Sequence, residues 1–115
     1  MAFDPVEFYR LGGEIFKRQD ASEREYRTVI GRAYYGAFLA ARGKAGITSA
    51  SSSIHLETAN YYLKNNQSAI GNRLNDLRLK RTAADYDLSS QISSRNAGEA
   101  LKLSLRLLKD LGAIS

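Results

Sequence analysis

Eight apolar residues, Tyr26, Val29, Ile30, Ala33, Tyr34, Ala37, Phe38 and Ala41, recur at intervals of three and four. That is the period of one helix face. Ahead of them, Ser22-Glu23-Arg24-Glu25 has the form of a capping box, in which the first and fourth side chains satisfy backbone N–H groups left over at a helix start. The pattern predicts a long helix from Ser22 to about Gly43. The small residues Gly31, Ala33, Gly36, Ala37, Ala40 and Ala41 let other helices pack close to it, so we expect it at the centre of the fold. Arg24, Arg27, Arg32 and Arg42 interleave with the apolar positions and give this helix a basic flank.

The rest of the chain supplies its neighbours. Asp4-Pro5-Val6-Glu7 reads as a helix start, with Asp4 as cap, Pro5 in the first helical position and Glu7 closing a capping box. That helix runs through Phe8, Leu11, Ile15 and Phe16 to about Arg18, with Gly12 and Gly13 allowing close approach. Gly43 to Ser53 is a loop. A third helix from about Ser53 to Lys64 is expected to bury Leu56, Ala59 and Leu63, and Asn65-Asn66-Gln67 breaks it. A fourth spans about Ser68 to Ala84. After a polar link from Asp87 to Ser94, a Leu-rich last helix turns Ala97, Ala100, Leu101, Leu105, Leu108 and Leu111 inward and stops at Gly112. No strand pattern or internal repeat competes. The expected architecture is all-α, an up-and-down antiparallel bundle of about five helices in a single domain, 1–115.

Composition narrows the chemistry. With no cysteine and one histidine among 115 residues, thiolate and His-rich metal sites are excluded, and no metal or cofactor is expected. No apolar run approaches the roughly 20 residues that cross a bilayer. The opening MAFDPVEFYR lacks the basic and greasy segments of a signal peptide, so the cytoplasm is the expected compartment. A net charge of +5 favours acidic partners, nucleic acid first.

The densest charge lies in Leu74 to Asp87, LNDLRLKRTAADYD. Ile70, Leu74, Leu77, Ala84 and Leu88 form one apolar face, and Arg81 falls on it. A guanidinium stays charged at any ordinary pH and needs a partner when taken from water. Asp85, one turn on, is the nearest candidate, and Arg78 lies on the same side. This constellation reads as a structural ion pair, a subunit contact or an anion site.

Two segments together resemble a known family. Arg27-Thr-Val-Ile-Gly-Arg32-Ala-Tyr34-Tyr35-Gly-Ala-Phe38 resembles the long-helix signature of small prokaryotic HEPN domains. Leu77-Arg78-Leu-Lys-Arg81-Thr-Ala-Ala-Asp85-Tyr86-Asp87 resembles their second signature, and His55 stands where such proteins often open the intervening helix. The resemblance implies a helical bundle, usually a homodimer. It also implies metal-independent ribonuclease toxins of toxin–antitoxin or defence systems, often paired with a nucleotidyltransferase-type antitoxin. Their catalytic Arg is followed after four to six residues by a His. Here Arg81 matches the Arg, Tyr86 stands after a four-residue spacer, and no His follows.

Cleavage of RNA by its own 2′-hydroxyl needs a proton acceptor, a proton donor and positive charge for the phosphorane. Arg81 and Arg78 suit the charge, Tyr86 a donor or stacking ring, and Asp85 or His55 the acceptor. Arg27 and Arg32 extend the RNA-binding surface. The leading expectation is RNA binding or metal-independent cleavage at Arg78, Arg81, Asp85, Tyr86 and His55. The alternative is a non-catalytic partner that docks a nucleotidyltransferase or a defence complex.

Overall fold

The structure is a computed structural model that describes residues 3–115. Five helices follow in order: α1 (Val6–Phe16), α2 (Glu23–Ala45), α3 (Ile54–Lys64), α4 (Ser68–Tyr86) and α5 (Ser94–Asp110). No strand occurs among the described residues. The all-α antiparallel bundle expected from periodicity is the fold.

α2 is the central helix and touches all four others. Val29, Ile30, Ala33, Tyr34, Ala37, Phe38 and Ala41 are buried along it. Glu25 accepts a hydrogen bond from the Ser22 N–H at 2.9 Å, as the capping box requires, and Gly46 closes the helix in the left-handed region at φ 72°. The small residues do allow close contact. A Cβ built on Gly36 would lie 3.1 Å from the Tyr9 nitrogen and 3.2 Å from the Pro5 oxygen, so α1 crosses α2 almost backbone to backbone. Gly12 packs against Arg32 and Val29 in the same contact, whereas nothing lies near Gly13.

The start of α1 differs from its expectation. Asp4 does accept from the Val6 N–H at 3.0 Å, but Glu7 pairs with Arg10 instead of reaching back. The i, i+3 partner on the helix surface competes with the cap for the same carboxylate. Leu11 is exposed and the helix ends at Phe16.

α5 lies against α2, α1 and α4 and buries Ala97, Ala100, Ser104, Leu107 and Leu108. Ser104 donates to the Ala33 oxygen at 2.7 Å, so this core hydroxyl is paired. Leu101 and Leu105 sit at the rim of that face, half-buried rather than in the core.

α3 packs mainly on α4 and only lightly on α2. Its buried residues are Thr58, Ala59 and Tyr62, while Leu56 and Leu63, expected inward, are exposed. The Tyr62 hydroxyl donates to the Ala41 oxygen at 2.6 Å, which turns the inward stripe toward Tyr62. On α4, Ile70, Leu74, Leu77 and Ala84 are buried as expected. Leu88 is 85% exposed, because α4 ends at Tyr86 and the helical period no longer applies two residues later.

Candidate functional site

The site forms where α2, α3 and α4 meet. α2 contributes a pair of aromatic rings one turn apart, Tyr34 and Phe38, stacked with centroids 5.6 Å apart. His55, in the first turn of α3, lies on both rings, 4.3 Å from Phe38 and 5.5 Å from Tyr34. Its Nδ1 is 2.5 Å from the Tyr34 hydroxyl. Tyr34 is only 1% exposed, and its hydroxyl has no other acceptor among the described residues. A buried hydroxyl donates where it can, so Tyr34 O–H donates to Nδ1 and the neutral imidazole carries its proton on Nε2. Burial pushes the Tyr34 phenol well above its usual pKa, against the opposing charges of Arg78 and Arg81.

α4 brings the cations. Arg78 and Arg81 act on His55 through space, and burial together with these two charges lowers the imidazole pKa, burial contributing most. His55 is therefore neutral at pH 7 and shares one site with Arg78 and Arg81. The sequence alone left that proximity open.

Arg81 is mostly buried, its side chain 18% exposed. Its Nε lies 2.8 Å from Asp85 Oδ2, the expected i, i+4 pair. The contact is close but off the N–H direction. Nε is buried and makes no hydrogen bond, so the carboxylate balances the charge without satisfying the donor. The guanidinium also lies 5.5 Å from the Tyr35 ring and 6.0 Å from the Tyr86 ring. Tyr86 is 71% exposed, so its ring is open to solvent. Among the described residues no carboxylate pairs with Arg78.

Arg27 belongs elsewhere. Its Nε and Nη2 donate to Glu23 at 3.0 and 2.7 Å. Nη1 donates to the oxygens of Ala84 and Asp87 at 2.8 and 3.1 Å, and Nη2 also to that of Ser90 at 2.7 Å. The Ala84 carbonyl is one of those a helix leaves unpaired at its C-terminus, where a cation is also favoured. Arg27, followed by the Ile92 N–H, holds the Glu23 carboxyl below its usual pKa. This guanidinium fastens the end of α4 and the following link to α2. Arg42 is likewise engaged, by the oxygens of Ile47 and Ser49. Of the basic flank, Arg32 alone points toward the site. Its guanidinium is 5.5 Å from Tyr35, and its Nε is buried without a partner.

Sequence reasoning missed Tyr34, Phe38 and Tyr35 as parts of the site. The signal was the spacing: Tyr34 and Phe38 are i, i+4 on α2, and Arg32 and Tyr35 are i, i+3, so both pairs face together. Among the described residues no three His, Cys, Asp or Glu side chains gather as a metal site would require. No helix among them is long and apolar enough to cross a membrane. Compared with protein-family models, with curated proteins and with solved structures, the chain matches none.

Proposed function

We propose that this chain is a HEPN-like RNA-binding protein that holds a backbone phosphate between Arg78, Arg81 and His55. One observation carries the reading. Two guanidiniums and one neutral imidazole share a site in which no carboxylate pairs with Arg78 and the Arg81 Nε lacks an aligned acceptor. Guanidinium groups match phosphate geometry, and a neutral imidazole with its proton on Nε2 adds a third donor. The exposed Tyr86 ring beside Arg81 offers a surface on which a base stacks.

The same contacts favour binding over cleavage. Attack by the 2′-oxygen needs a base to take its proton, and a ring that receives the Tyr34 hydrogen at Nδ1 has no free lone pair at Nε2. Asp85 is already engaged as the counter-charge of Arg81, 2.8 Å from its Nε. In the homodimeric form of this reading, a second copy covers Leu79 and Leu88, exposed apolar side chains on α4 and just beyond its end. Sedimentation of a monomer at micromolar concentration counts against that form, and co-purification with a nucleotidyltransferase-type protein favours the partner alternative.

The test is binding of a labelled single-stranded RNA across a salt series in EDTA. Expected is salt-sensitive binding whose log–log slope falls by about 0.7 in Arg78→Ala and again in Arg81→Ala. Absent or salt-insensitive binding overturns the reading. Cleavage that persists in EDTA and is lost in His55→Ala makes the protein a ribonuclease instead.

A further inference from the structure

We infer that Arg32 is a second phosphate contact, so that the ligand is a ribonucleotide chain engaged at two adjacent phosphates rather than at one. The inference rests on the RNA-binding reading above and names what that site takes.

Arg32 lies on α2, three residues before Tyr35. Its guanidinium carbon is 5.3 Å from the Phe8 ring and 5.5 Å from the Tyr35 ring. Arg81 is 5.5 Å from the same Tyr35 centroid and 6.0 Å from that of Tyr86. Ring and cation therefore alternate, Phe8, Arg32, Tyr35, Arg81, Tyr86, from α1 across α2 to the end of α4. Because both guanidiniums are measured from one ring centre, they lie no farther apart than twice 5.5 Å.

Two cations held that close repel each other, and the ring faces offset only part of the cost. An internal acceptor would remove the problem, yet Arg32 forms no ion pair with any described residue and its Nε is buried without a hydrogen bond. An unsatisfied buried donor on a charged group is costly, and an anion drawn to that guanidinium offsets the cost. Arg81 shows the same defect at the same atom, since the Asp85 carboxylate is misaligned. Two guanidiniums that share one ring suit two anions at short spacing. Adjacent phosphates of one strand, joined through a single ribose, meet that description.

The experiment compares uridine 3′-monophosphate with short oligouridylates bearing two and three phosphates, each titrated over a salt series. For the wild type, the slope of log K against log salt steepens by about 0.7 from the one-phosphate to the two-phosphate ligand. Arg32→Gln abolishes that increment and leaves the one-phosphate slope unchanged, while Arg32→Lys restores it. An Arg32→Gln protein with the wild-type increment overturns the inference while leaving the RNA-binding reading intact. Failure of every ligand to bind overturns both. If Arg32→Gln does not fold, phenylglyoxal modification of the wild type decides. Protection of Arg32 by the two-phosphate ligand and not by the monophosphate supports the inference, and equal modification of Arg32 in both overturns it.

Discussion

Two arginine clusters sit less than one α4 length apart and are treated in opposite ways. At the end of α4, Arg27 has a carboxylate and three backbone oxygens as partners, and all of its nitrogens are engaged. Around Tyr35 and His55, Arg78 and Arg32 lack carboxylates and Arg81 has one in poor alignment. The first cluster closes a fold. The second holds guanidiniums that the described carboxylates leave unpaired or pair in poor alignment. A basic composition cannot separate these, since Arg27 and Arg32 lie on the same helix; only the partners of each N–H do.

The largest effect should come from breaking the closed cluster. Arg27→Ala leaves the Ala84, Asp87 and Ser90 oxygens without their donor and should destabilise the protein by about 3 kcal/mol, read as a lower urea midpoint. Stability within about 0.5 kcal/mol of wild type would show that the two clusters do not differ.

The next effect concerns the joint that sets His55 against Arg78. A Cβ on Gly71 would lie 2.7 Å from Leu63 Cγ and 2.9 Å from the Ala59 oxygen, which is backbone and does not yield. Gly71→Ala should therefore cost about 2 kcal/mol despite the better helix propensity of Ala. Gly31→Ala, with nothing within 4 Å, should gain up to about 1 kcal/mol by thermal melting.

A smaller effect sharpens the open cluster. His55 has a lowered pKa in the folded protein, so the unfolded chain takes up its proton first as pH falls. The resulting stability is complete above the unfolded value near 6.5 and declines as pH drops toward the folded pKa, with a slope of at most about 1.4 kcal/mol per pH unit. Glu25 and Asp87, both held at about 2 by hydrogen bonds, lose their contributions only at lower pH, between their usual carboxylate range and about 2. Wild type should thus weaken between pH 7 and 5.5 in urea melts, and His55→Gln should not. The smallest effect belongs to Arg78→Ala, which removes no partnered group and should change stability by less than about 0.5 kcal/mol.

These contrasts show how far the sequence was legible. Helical period and the α2 capping box located all five helices, because local spacing decides them. The period misplaced Leu56 and Leu63 on short α3, where the Tyr62 hydroxyl sets the rotation, and it failed at Leu88, beyond the helix end. The Arg81–Asp85 pair was readable because it is local. Arg27 was read as part of a binding surface because three of its acceptors, the Ala84, Asp87 and Ser90 oxygens, are 57 to 63 residues away, and only Glu23 is local. His55 could be named as a candidate, but its seat on Tyr34 and Phe38 depends on where α3 lands.

The most direct measurement uses the fact that the chain has one histidine. An NMR titration of His55 reports a single ring, with and without a short single-stranded RNA. The account expects a pKa below 6.5 in the free protein that rises when RNA phosphate offsets Arg78 and Arg81. A ring that titrates near 6.5 and ignores saturating RNA would contradict it.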